Sequence, residues 1–145
     1  MISIQFRKDF YADVRTEDRS RTVITYQSGV LEEMKTRVER RAFLRVYDGK
    51  MWYYASVTDL ANLQKTLDGL YEAATPNPAI LDDPVVRRFE CNRDTVMSFA
   101  DCSVRDIPQK DKQALLLSYL PIVSDDPSIT LTIGMYLDRN SIFCF

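Results

Sequence analysis

Histidine is missing altogether from this chain of 145 residues. Without it there is no imidazole to serve as general base or as zinc ligand, and no nucleophile motif stands in its place. An independent hydrolase is therefore not expected. Paired Cys-x-x-Cys spacings are missing too: Cys91, Cys102 and Cys144 are an odd, scattered set, which excludes a zinc or dithiol motif. These thiols are expected to be reduced, partly buried small hydrophobes. No apolar run approaches the roughly twenty residues of a membrane span, and the start lacks the basic, apolar and small-residue succession of a signal peptide. A cytoplasmic protein without a membrane partner is expected. Excess positive charge is absent as well. A formal net charge of −2 argues against a broad phosphate-neutralising face, so no nucleic-acid partner is expected. No internal repeat or low-complexity segment occurs.

What is present fits one domain over 1–145, long enough to bury roughly two thirds of its unfolded surface. Thr22 to Tyr26 is rich in β-branched and aromatic residues, and Ser28-Gly29 supplies a turn before Val30 and Leu31, so a first antiparallel hairpin is predicted. Its register is open: a two-residue loop sets Ile24 opposite Glu33, and a three-residue loop pairs Tyr26 with Val30. The next hairpin joins Ala42 to Tyr47 and Lys50 to Ala55 through Asp48-Gly49, a dipeptide favoured in type I′ turns. That loop sets Val46 opposite Met51, Leu44 opposite Tyr53 and Arg45 opposite Trp52. One face then carries Leu44, Val46, Met51 and Tyr53, and the other Phe43, Arg45, Trp52 and Tyr54. Both faces are substantially apolar, as in a sheet covered on both sides or covered by a partner.

Thr58 or Asp59 can cap the helix that follows, on which Leu60, Leu63, Leu67, Leu70, Tyr71 and Ala74 form one stripe before Thr75-Pro76-Asn77-Pro78 ends it. Between 79 and 105 the pattern is poor, with a short strand expected over Val85 to Phe89 and a helix over Asp94 to Ala100. Asp106 and Pro108 open a second helix, predicted to be buried through Ala114 to Leu117, Tyr119 and Leu120 and to close near Pro121. Strict alternation of Ile129, Leu131, Ile133, Met135 and Leu137 predicts a long strand with these residues on its core face. Asp138-Arg139-Asn140 is then a turn into Ser141 to Phe145. This order gives an α+β fold, a largely antiparallel sheet of hairpins with two main helices packed on it.

Several stretches carry a resemblance: Tyr11-Ala12-Asp13-Val14-Arg15-Thr16-Glu17-Asp18, Ser28-Gly29-Val30-Leu31-Glu32-Glu33, Leu44-Arg45-Val46-Tyr47-Asp48-Gly49-Lys50 and Ala55-Ser56-Val57-Thr58-Asp59-Leu60. In order and spacing they resemble the start of the TldD/PmbA family. Weaker likenesses follow at Ile107 to Lys112 and at Tyr136 to Ser141. Members are described as candidate modulators of DNA gyrase, the TldD-type subunit being a zinc metallopeptidase that pairs with a metal-free PmbA-type subunit. The resemblance implies a non-catalytic amino-terminal domain, a fragment of a longer protein. It would contribute to subunit assembly and peptide-substrate access beside a homologous or identical subunit. Any zinc belongs to the part of the family's chain absent here, and no cofactor is expected in this one. The family commonly opens with a helix before the Asp-Val-Arg strand, whereas only Met1 to Phe10 precede it here. The alternative reading is a free-standing protein-binding module that uses an exposed hairpin edge.

The candidate contacts for a partner or an unfolded peptide are Arg41, Phe43, Arg45, Trp52 and Tyr54. Their competing reading is structural. Arg37, Arg40, Arg41 and Arg45 make a basic cluster that Glu32, Glu33 and Glu39 can balance, and Arg45 can lie over the Trp52 indole. Asp13 and Arg15 share a strand face and suit a surface ion pair better than acid–base catalysis. The aromatic series Phe43, Tyr47, Trp52, Tyr53 and Tyr54 suits packing better than nucleic-acid stacking, which favours a positive groove.

Overall fold

A computed structural model of the chain describes residues 4–90 and 93–145. Cys91 lies outside the described residues. The strands are β1 (Tyr11–Gln27), β2 (Val30–Tyr47), β3 (Trp52–Val57) and β4 (Ile133–Cys144), and the helices are α1 (Leu63–Ala73) and α2 (Gln109–Ser124). The strands form a four-stranded antiparallel sheet in the order β3-β2-β1-β4, and with the helices this is the α+β fold expected. The chain divides into two compact units, one of residues 1–18, 40–96 and 143–145, the other of residues 19–39 and 97–142.

The first unit is built on the second hairpin and α1. Asp59 caps the chain before the helix by accepting from the Ala61 amide at 3.0 Å. The predicted stripe then buries Leu63, Leu67 and Tyr71 against Phe10, Ala42, Leu44 and Val46. The loop between β2 and β3 departs from the two-residue turn. Tyr47 pairs with Trp52, Val46 with Tyr53 and Arg45 with Tyr54, so Asp48 to Met51 form a longer loop. The cause is the Asp48 side chain, whose Oδ1 accepts from the Lys50 and Met51 amides, each at 2.8 Å. Its Oδ2 accepts from the Tyr53 hydroxyl at 3.1 Å and the Thr75 amide at 3.3 Å. A carboxylate that satisfies several loop amides outcompetes the turn that the dipeptide alone favours. The register moves by two residues, and since side chains alternate with period two the faces keep their occupants. Met51 alone leaves its predicted face, because it lies in the loop and is exposed.

Val85 to Phe89 is not a strand. Asp83 Oδ1 accepts from the Val85 amide at 2.8 Å and starts a tight turn that continues as a 3-10 helix over Val86–Arg88. Asp94 to Ala100 is not helical; the only regular piece there is a 3-10 turn over Ala100–Cys102.

In the second unit Ser28 and Gly29 take positive φ, 46° and 79°, as a two-residue hairpin turn requires. Farther along, the Thr22 and Thr36 hydroxyls lie 3.1 Å apart. These two residues therefore face each other, one step from the register of the two-residue loop and two from that of the three-residue loop. Helix α2 does not close at Pro121 but runs through it to Ser124, the Pro121 carbonyl still accepting from the Asp125 amide at 3.2 Å. Nor is it a buried helix: Leu116 is buried, whereas Leu115, Leu117 and Tyr119 are exposed.

The last strand shows the sharpest departure. It spans Ile133–Cys144 without a turn, and Ile129 and Leu131 precede it in irregular chain. Gly134 lies against α2, so close that a Cβ there would stand 2.3 Å from Leu120 Cδ2. The apolar residues of the alternation point the other way, Ile133 being 65% exposed, Met135 62% and Leu137 49%. Asp138 makes no turn because its carboxylate is engaged by α2. Lys112 Nζ lies 2.8 Å from Asp138 Oδ2 and donates to Thr22 Oγ1 at 3.2 Å. Tyr136 donates to Asp138 at 2.8 Å, and the Thr22 amide does so at 3.3 Å.

Burial alone pushes the Asp138 carboxyl up, but the bonds from Lys112 and Tyr136, with the lysine's charge and the Thr22 amide, hold it below the usual carboxylate range. Burial, then the bond to Asp138 and its charge, push the Tyr136 phenol up to about 12. Cys102 and Cys144 are free and exposed, not partly buried as expected.

Candidate functional site

All five candidate residues fall on one face of the β2–β3 hairpin, the face turned away from the α1 core. Cross-strand pairing of Phe43 with Ser56 and Arg45 with Tyr54 fixes this. The aromatic rings run in a chain, Phe43 with Tyr54 at 5.7 Å, Tyr54 with Trp52 at 6.3 Å and Trp52 with Tyr47 at 4.6 Å between centroids. Tyr53 belongs to the opposite, core-facing side.

Arg45 closes one end of this face. Its guanidinium lies 4.7 Å from the Trp52 ring, 5.5 Å from Phe89 and 6.0 Å from Tyr11, and its Nε donates to Asp13 Oδ2 at 2.5 Å. The indole contact is the predicted one, reached diagonally because the register moved. Burial alone would lower the Arg45 pKa, and the bond and charge of Asp13 more than offset it. Three rings and a carboxylate around one cation are the surroundings of a packed side chain.

The other end is open. Arg41 and Phe43 line a groove of about 310 Å³ together with Arg15, Glu17, Phe143 and Phe145. Arg41 is held by Glu17, Nε to Oε2 at 2.6 Å, and Arg15 lies over the Phe145 ring at 5.5 Å. Asp13 and Arg15 make the expected ion pair at 3.4 Å. The balancing acids for Arg40, Arg41 and Arg45 are Asp18, Glu17 and Asp13 of β1, not the glutamates of β2; Glu39 pairs with Arg19 instead. Reading the strands singly missed Phe89, Phe143 and Phe145 as neighbours of this face, since no local pattern ties such distant residues to it.

Among the described residues no group of three or more Cys, Asp or Glu is placed to hold a metal ion. No helix among the described residues is long and apolar enough to cross a membrane.

Residues 12–74 match the family model described as PmbA/TldA metallopeptidase domain 1. Two solved structures share the fold. One, from Bacteroides thetaiotaomicron and described as a candidate modulator of DNA gyrase, is 16% identical with a TM-score of 0.64; the match covers 91% of this chain and 31% of that one. The other, from Thermotoga maritima and described in the same words, is 12% identical with a TM-score of 0.53; it too is matched over 91% of this chain and 31% of its own. The chain thus spans about a third of the length of these structures. No curated protein matches it in sequence. The hairpin that carries the candidate face and the helix that packs beneath it both lie inside the matched segment, and the resemblance to the amino-terminal domain of the TldD/PmbA family holds.

Proposed function

We propose that this chain is a non-catalytic amino-terminal domain of a TldD/PmbA-like metallopeptidase system in the cytoplasm. It assists assembly with a homologous or identical subunit and shapes the access of unfolded peptide substrates. The observation that carries the reading is the face of the β2–β3 hairpin within the matched segment, where a row of rings leads into the open groove at Arg41 and Phe43. Rings and a shallow apolar trough suit the alternate side chains of an extended peptide, and β3 stands at the edge of the sheet, where a further strand can be added by backbone hydrogen bonds. The same edge favours the second reading, a protein-binding module that acts without a peptidase. Peptide cleavage belongs to the zinc-bearing part of the system, and no nucleic-acid or membrane contact is assigned to this domain.

The test uses the natural protein that carries this chain, with and without the segment, and with Phe43→Ser and Tyr54→Ser in the intact form. Subunit pairing is measured by sedimentation and peptide hydrolysis by product release. Loss of pairing or a raised KM supports the proposal; unchanged values of both overturn it. Pairing with a partner that has no peptidase activity favours the second reading.

A further inference from the structure

The second unit presents a face that none of the foregoing uses. Thr22 and Thr36 face each other on the side of the sheet that α2 covers, and Asp138 lies beside Thr22 on that same side. One step along each strand, Arg21, Arg37 and Arg139 must therefore stand side by side on the opposite side, in a row across β2, β1 and β4. All three are exposed, and none makes an ion pair among the described residues. Lys35 shares this face, is exposed and is likewise without an ion pair. Glu33 is the one acid there with no partner, because Glu39 is bound to Arg19 at 2.5 Å. Beside the basic row runs the apolar row of β4, Ile133, Met135 and Leu137, each about half exposed or more.

Like charges on neighbouring strands repel and destabilise a sheet, and exposed apolar rows next to them mark interaction surfaces. Their combination in a chain of net charge −2 fits an occupant with the complementary pattern. We propose that this face binds an extended acidic segment of a protein partner, with carboxylates over Arg21, Arg37 and Arg139 and apolar side chains over Ile133, Met135 and Leu137. Guanidinium groups favour carboxylates because their donors match both oxygens at once. Nucleic acid fits less well, since the neighbouring row is aliphatic and offers no ring on which bases stack. The proposal goes beyond the assembly and access roles, which lie on the other unit.

The test is fluorescence anisotropy of the whole chain with two labelled octapeptides, one alternating glutamate and leucine, the other lysine and leucine. Saturable binding of the acidic peptide is expected. Arg37→Glu and Arg139→Glu should each weaken it about tenfold, Arg37→Lys should weaken it less, and added salt should weaken it in the parent chain. Met135→Ser should weaken it without changing the salt dependence. Circular dichroism checks that each variant is folded. Equal binding of both peptides, no acidic binding at millimolar concentration, or indifference to the arginine variants overturns the proposal. So does stronger binding to an oligonucleotide or to anionic vesicles, or self-association that the same variants abolish. Failure here leaves pairing and hydrolysis untouched, so the two readings fail separately.

Discussion

The two units fasten their helices by different means. In the first, α1 is held chiefly by apolar contact, Leu63, Leu67 and Tyr71 against Phe10, Leu44 and Val46. The preceding chain supplements this: the Gln5 amide donates to Gln64, the Arg7 amide to the Tyr71 hydroxyl, and Arg7 pairs with Asp68. In the second, α2 buries little beyond Leu116 and is fixed by a lysine. Lys112 reaches under the sheet to Asp138 and Thr22 with only 5% of its side chain exposed. Apolar burial has no direction and scales with area. A buried ion pair is different, since it stabilises little compared with an apolar replacement yet is costly to break by halves. The first unit is thus built for stability, and the second is built so that its helix has one place to dock.

The strongest way to break this contrast is Lys112→Ala, which removes the cation facing Asp138 and leaves that buried carboxylate only the Tyr136 hydroxyl and the Thr22 amide; a loss of about 3–5 kcal/mol is expected in denaturant titration. Replacing both partners, as in Lys112→Met with Asp138→Leu, should recover most of that loss. Leu67→Ala tests the other unit, where a fully buried leucine leaves a cavity and costs about 2–5 kcal/mol. No second substitution should rescue it unless it refills the volume.

Acidity sharpens the contrast further. The Asp138 carboxyl is held below its ordinary value of 3.8, so its contribution is present above that pH and is lost as the pH falls through the lower folded-state value. Asp138→Asn should therefore melt well below the parent at pH 7, and the gap should narrow as the pH is taken below about 4. A gap that stays constant would show that Asp138 is not ionised in its network. The smallest effect is expected from Gly134→Ala, where the added methyl meets the flexible end of Leu120. A cost of about 1–3 kcal/mol would show as a modest fall in melting temperature.

The helix and the hairpin faces of the first unit could be read from the sequence because their rules are local, whereas its Val85 to Phe89 segment could not. Leu60 to Ala74 carries a helical stripe that no buried polar group contradicts, and the β2–β3 faces survived a register error because the slip was of two residues. Asp48 shows where local reading stops, since its Thr75 and Tyr53 contacts come from elsewhere in the chain. In β4 the period was right and the face was wrong. Ile133, Met135 and Leu137 look like a core stripe until Lys112 is known to claim Asp138, which turns Gly134 and Tyr136 toward the helix. Candidate residues fared alike. The five on the hairpin gathered because alternation within one strand pair placed them, whereas the row of Arg21, Arg37 and Arg139 depends on pairing among three strands.

Trp52 is the only tryptophan in the chain, and it lies in the first unit under the Arg45 guanidinium. The chain therefore carries a natural optical label for one of its halves. Tryptophan emission reports on the hairpin and its aromatic face, and a probe placed in the second half, such as a dye on the exposed Cys102, reports on that half.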